Sequence, residues 1–209
     1  MTRYRKYSGA LARAEADGSG AADAALRRDR EYFRVYAASH ILKLRTELRT
    51  GSDAEQRAAA ITAIACSSSK TALDDLLYAL QDPDDGVRSN AIRELAAIAV
   101  IDIRIPPAGL VDLLNSVVLS DRVQATKALL KLTEKQNAAA LDAIRERALP
   151  SLAEMARWQT RSYALPPFQL IGRVAGLKDA EVNESWEHGD PEAVIQQALD
   201  STAKKPGLQ

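Results

Sequence analysis

The residues able to do chemistry in this chain are few and widely spaced. Asp82 and Asp84 stand two apart, a spacing that can hold a cation. They also sit in Asp-Pro-Asp-Asp ahead of a helical pattern, where carboxylates cap and favour a helix N-terminus, and capping accounts for both. His40 and His188 are the two histidines, too few for a His-rich metal site. Cys66 is the single cysteine, which rules out an internal disulfide and a multi-cysteine zinc site. His40 lies beside an apolar stripe and reads as a packed or half-exposed histidine rather than a ligand. Cys66, in an Ala-rich stretch, reads as a small core residue. Trp158 is followed by Gln159, Arg161 and Tyr163, an aromatic–arginine cluster of the kind that anchors protein partners, although a tryptophan is more often core. Gly18-Ser19-Gly20 runs into Ala-Ala-Asp rather than a dinucleotide pattern, and no strand precedes it. No catalytic residue, metal or cofactor is expected from these residues.

The elements that must position them are helices. Hydrophobic residues make up 46% of the 209 and aromatics only 5%, so the core is built from Ala, Leu, Ile and Val. No long stretch alternates apolar and polar residues, which points to an all-α chain. A long helix is expected from Ala21 to Thr50, with Phe33, Ala37, Ile41, Leu44 and Leu48 on one face and most of its arginines off it. Gly51 ends it, and Ser52 with Glu55 forms a capping box for a helix reaching about Cys66. Ser67, Ser68 and Ser69 break the pattern. Thr71 with Asp74 makes another possible box, ahead of Leu73, Leu76, Leu77 and Leu80. Asp82-Pro83 opens the next helix, with Asp84 and Asp85 in its first turn. After a connector, VIDIRIPP, helices are expected at about 108–118, 121–133 and 137–157. Pro166-Pro167 is expected to split or kink the helix around it. Gly189-Asp190-Pro191-Glu192 repeats the Asp-Pro cap before a final helix and a frayed tail.

A pattern recurs along this series. Arg-x-x-Ala-x-x-x-apolar occurs at Arg57-Ala60-Ile64, Arg88-Ala91-Leu95, Arg122-Ala125-Leu129 and Arg161-Ala164-Phe168, each after an amphipathic helix. DPDDGVRSNAIRELAAIA, residues 82–99, is the fullest copy, and SDRVQATKALLKL is a good one. SDAEQRAAAITAIA lacks the Asp-Pro turn, and the fourth copy carries the two prolines. Over roughly residues 30–176 this resembles the HEAT-repeat family, including the short HEAT-like repeats of bacteria and of phycobilisome lyases. The resemblance implies an α-solenoid of about four helix pairs. The repeats would run over 30–178, with an extension at 1–29 and a helical cap and tail at 179–209, all in one domain. It further implies that Asp82, Arg88, Arg57, Arg122 and Arg161 form a structural ladder tying neighbouring repeats.

For function, the resemblance implies a non-catalytic scaffold that binds an unidentified protein partner on the concave face lined by second helices. Positions offset from the Arg-Ala-Leu face are Asn90, Arg93, Lys127, Lys131 and Tyr163, and with Trp158 they are the expected partner surface. Two enzymes of similar architecture are the alternatives. An alkylpurine DNA glycosylase uses a basic concave face, and residues 1–50 do carry 11 Lys/Arg against 6 Asp/Glu. The remaining residues carry 17 against 22 and the total is neutral, so a nucleic-acid partner is not expected. A bilin lyase-like role rests on the family alone. HEAT-like iron hydroxylases use repeated His-Glu pairs, whereas Glu187-His188 is single and reversed. The N-terminus has no apolar signal-peptide core and the longest mid-chain apolar run, Leu95 to Ile101, is too short to span a membrane, so a cytoplasmic location is expected.

Overall fold

The computed structural model describes residues 4–7, 10, 24–67, 71–99, 105–135 and 137–203. The breaker at 17–20, the serines at 68–69, the connector at 100–104 and the tail from 204 lie outside the described residues. After a helical turn at 4–7, the helices are α1 (Ala24–Thr50), α2 (Ala54–Cys66), α3 (Ala72–Ala79), α4 (Asp85–Ala99), α5 (Ala108–Leu113), α6 (Leu119–Thr133), α7 (Ala138–Arg147), α8 (Leu149–Ala156), α9 (Arg161–Val174), α10 (Asp179–His188) and α11 (Pro191–Ala203). The described residues contain no strand. The fold is all-α, of the α-solenoid class.

Short polar side chains start these helices by taking up backbone N–H groups that have no partner inside the helix. Asp53 caps α2, accepting from Glu55 N at 2.8 Å and Gln56 N at 3.2 Å. The cap is therefore Asp53, one residue after the expected Ser52. At Thr71 there is no side-chain cap. Its hydroxyl accepts from Arg45 instead of bonding the α3 backbone. The Asp-Pro turns work as a relay. Asp82 Oδ1 accepts from Asp84 N at 2.9 Å and Asp84 Oδ1 from Val87 N at 3.1 Å, so Asp84 is the cap and Asp85 lies in the first turn of α4. Asp190 repeats the device for α11, accepting from Glu192 N and Ala193 N at 3.0 and 3.2 Å.

The contacts divide into two compact units, Met1–Glu94 and Leu95–Gln209, with the division inside α4. In the first unit α1 packs along α2, and α2 on α3. Phe33, Ala37 and Leu48 of the expected α1 stripe are buried, while Ile41 and Leu44 are half-buried. The α1 helix is interrupted at His40, whose backbone (φ −130°, ψ 17°) is not helical.

In the second unit α9 is the hub, packing against α6, α7, α8, α10 and α11. It runs unbroken through Pro166 and Pro167, contrary to the expected split. The carbonyls that lose their donors belong to Ser162 and Tyr163, both exposed to water, while Pro167 adds its ring to the buried face. A different proline breaks a helix. The expected 137–157 helix is two helices, because Ala148 leaves helical geometry (φ −139°, ψ 1°) and Pro150 lies in the first turn of α8. The helix expected at 108–118 ends at Leu113. At the close of α9, Gly176 takes φ +83°, and Leu177 N bonds Gly172 O at 2.9 Å.

Candidate protein-interaction surfaces

The four repeat copies put like residues in like places. Ala60, Ala91, Ala125 and Ala164 are buried, as are Ile64, Leu95, Leu129 and Phe168 one turn further along. Small residues let helices approach, and the larger ones fill the space between them.

The arginines of the same copies stand at the rims of these helices, and most tie them to later segments of the chain. Arg57 donates from Nε and Nη2 to the two oxygens of Asp82, each at 2.8 Å, and from Nη1 to Gly51 O at 3.0 Å. Burial raises the Asp82 carboxyl, but its bonds from Arg57 and from Asp84 N outweigh that and hold it below the usual carboxylate range. Arg88 donates to Asp82 O at 2.7 Å and Pro83 O at 3.0 Å, closing its own turn. Arg122 reaches Glu154 on α8 at 2.9 and 3.3 Å, and Arg161 pairs with Glu187 on α10.

The tryptophans belong to this ladder. The Arg122 guanidinium lies 5.1 Å from the Trp158 ring centre, and that of Arg161 lies 5.5 Å from Trp186. Trp158 is half-buried beneath an arginine 36 positions earlier rather than clustered with Arg161 as its neighbours in sequence suggest. Sequence spacing did not single out Arg173. It is 7% exposed, bonded through Nε and Nη2 to Asp179 at 2.9 and 2.8 Å and through Nη1 to Leu130 O and Thr133 Oγ1. It joins α6, α9 and α10.

The expected partner residues separate by exposure. Lys127, Lys131 and Tyr163 are exposed in the second unit, Lys131 paired with Glu134 at 2.9 Å. Arg93 is half-buried. Asn90 is not a surface residue. It is 5% exposed, and its amide donates to the Tyr4 hydroxyl at 2.5 Å, because the N-terminal turn lies over it.

That turn also buries Tyr7, edge-on to Phe33 with ring centres 5.4 Å apart. The Tyr7 hydroxyl accepts from Arg30 Nη1 at 3.2 Å, and Arg30 Nη2 bonds the buried Glu94 at 3.2 Å. Burial pushes the Tyr7 hydroxyl up to about 12, with Glu94 adding and Arg30 opposing. Burial likewise pushes the Cys66 thiol up to about 11. A thiol so protonated at neutral pH is a poor nucleophile.

The first unit carries open surfaces, among them the following two. On α1, Tyr32, Tyr36 and His40 stack at one-turn intervals, with ring centres 6.2 and 4.2 Å apart, beside a groove of about 430 Å³. His40 is exposed, its Nδ1 donating to Tyr36 O at 2.9 Å. The Tyr-x-x-x-Tyr-x-x-x-His spacing off the apolar stripe was the readable signal for this ladder. The second surface is a groove of about 480 Å³ bordered by α2 and α4, with Glu55, Asp84, Asn90 and Arg93 along it and Tyr4 at its edge. Among the described residues no group of three or more His, Cys, Asp or Glu is placed to hold a metal ion. No helix among them is long and apolar enough to cross a membrane.

Helix pairs with a buried Ala-aliphatic seam and rim arginines define a helical repeat scaffold. The family model for HEAT repeats matches residues 41–130, so that segment is similar to HEAT repeats. Among solved structures, the crystal structure of an engineered protein from the Northeast Structural Genomics Consortium is similar. Its TM-score is 0.54 at 16% identity, over 88% of this chain and 92% of that one. Comparison with curated proteins finds no match.

Proposed function

We propose that this chain is a non-catalytic protein-interaction scaffold that holds a partner on its second-helix surfaces. The observation that carries this reading is the open groove between α2 and α4, which are the second helices of successive repeats. It is lined by the small residues Ala54, Ala58, Gly86 and Ser89 together with the carboxylates Glu55 and Asp84 and with Arg93. Lys127, Lys131 and Tyr163 are exposed on the second helices α6 and α9 of the second unit, and Trp158 is half-buried between α8 and α9 in sequence. A protein partner is supported over a nucleic acid by the pairing of basic side chains. Arg30, Arg34, Arg45 and Arg49 of α1 are bonded to Glu94, Glu31 and Asp75. Phosphate binding needs clustered positive charge that is not already neutralised.

Affinity purification of the tagged chain with quantitative mass spectrometry tests this. Wild type should retain specific proteins that the Arg93→Ala, Lys127→Ala double variant releases. Equal retention by the two would overturn the assignment of the second-helix surface.

A further inference from the structure

We propose that the α2–α4 groove recognises an aromatic–basic dipeptide on a partner protein, and that the chain's own Tyr4–Arg5, at the edge of the groove, holds two of its recognition residues, Asn90 and Glu55, in cis. The inference rests on the scaffold reading and names the chemistry of its ligand.

The occupant defines the site. Tyr4 is 8% exposed, and its hydroxyl takes the Asn90 amide proton at 2.5 Å. Asn90 therefore reads the aromatic residue by its polar tip. Arg5 forms a two-point pair with Glu55, its Nη2 reaching Oε2 at 2.6 Å and its Nε reaching Oε1. A guanidinium fork on a carboxylate is selective for arginine. Both recognition residues stand on second helices, Glu55 in α2 and Asn90 in α4.

The groove extends past what Tyr4 fills. Its lining includes the small residues Ala54, Ala58 and Gly86, which leave room for a backbone, and Asp84 adds a second carboxylate. A basic, aromatic segment is complementary to it. Residues 4–7 are helical, and the side-chain contacts of Tyr4, Arg5 and Tyr7 hold them on the first unit. Tyr7, packed on Phe33 and bonded to Arg30, anchors the turn from its far end. Arg5 is 68% exposed, so a competing side chain can reach its pair with Glu55, whereas Tyr4, 8% exposed, has to leave its seat for the exchange to be complete. A partner presenting the same two side chains makes the same bonds and competes for them.

The experiment uses the full chain and a fluorescein-labelled peptide copying residues 1–10, MTRYRKYSGA, followed by anisotropy. A cis occupant on a short tether acts at roughly millimolar effective concentration, so the Tyr4→Ala, Arg5→Ala variant should bind the peptide about tenfold or more tighter than wild type. Adding Glu55→Lys to that variant, or replacing the first tyrosine of the peptide by alanine, should remove the gain. Circular dichroism checks the fold. If the double variant unfolds, Arg5→Ala alone carries the comparison, because it removes only an exposed side chain and should still tighten binding severalfold. Equal binding by wild type and the folded variant, or no binding at about 1 mM peptide, the weak edge of specific association, overturns the proposal. The outcome is separable from the scaffold reading. Partner capture lost in Arg93→Ala, Lys127→Ala without peptide binding would leave the scaffold standing and this ligand refuted.

Discussion

Arg57 and Asp82 exchange two hydrogen bonds of 2.8 Å while their side chains are only 11% and 4% exposed. Two charges so far from water are stable together and costly apart. Arg57→Ala should therefore destabilise the first unit by roughly 3 kcal/mol, read from urea denaturation at neutral pH. The Asp82 carboxyl titrates below its ordinary value in the folded chain. Its contribution is thus complete above the unfolded value of about 4 and fades as pH falls through the lower folded value. Wild type should lose stability over that acid range more steeply than Arg57→Ala does. Gly172 gives a test of close packing. A Cβ there would lie 2.2 Å from Val182 Cγ2, so Gly172→Ala should cost about 1–3 kcal/mol by forcing α9 and α10 apart. Val182→Ala in the same chain should recover part of that loss in a thermal melt. At this scale the repeat arginines were legible because they recur at matched positions. Their acceptors were legible only for Asp82. Glu154 and Glu187 occupy no matched position in the repeat, and neither does Arg173, whose three acceptors come from α6 and α10.

The element that departs most from the repeat pattern is the one most others pack on. Helix α9 carries two interior prolines, yet buries Ala164, Pro167, Phe168, Leu170, Ile171 and Val174 against its neighbours. Proline within a helix costs about 3 kcal/mol relative to alanine, but that preference is local and the packing of a whole face outweighs it. Pro166→Ala, at a half-buried position, should consequently raise the stability of the second unit by about 1–3 kcal/mol without changing the helix, as followed by thermal denaturation and far-ultraviolet dichroism. The Asp-Pro starts were readable in sequence at Asp82 and Asp190, because a carboxylate ahead of proline has one dominant use at a helix N-terminus. Asp190→Ala should cost about 1 kcal/mol by leaving Glu192 N and Ala193 N without their acceptor. The cap expected at Ser52 is instead Asp53, one residue on and without the reciprocal half of a capping box, since both residues are good caps and only the path of the chain after Gly51 chooses between them.

Across the molecule, 28 basic and 28 acidic residues cancel, and within the first unit Arg30, Arg34, Arg45 and Arg49 are paired with Glu94, Glu31 and Asp75. No retardation of duplex DNA is expected in a gel shift even at low salt. A salt-sensitive complex there would revive the nucleic-acid reading. The chain by itself determined the helical class and the repeat. An Arg, an Ala and an aliphatic residue at fixed offsets must share a helix face, and four copies at similar intervals describe units that bury that face on one another. It also determined the helix starts at Asp82-Pro83 and Asp190-Pro191, because caps act within three residues of themselves. Tertiary structure alone decided what the candidate surface is. Asn90 is offset from the core stripe and so read as exposed, but Tyr4, 86 positions earlier, covers it. Trp158 and Arg161 are neighbours in sequence, yet each stacks with a partner from another helix pair. Local pattern reports which way a side chain leaves its helix. What meets it there depends on segments brought in from far along the chain.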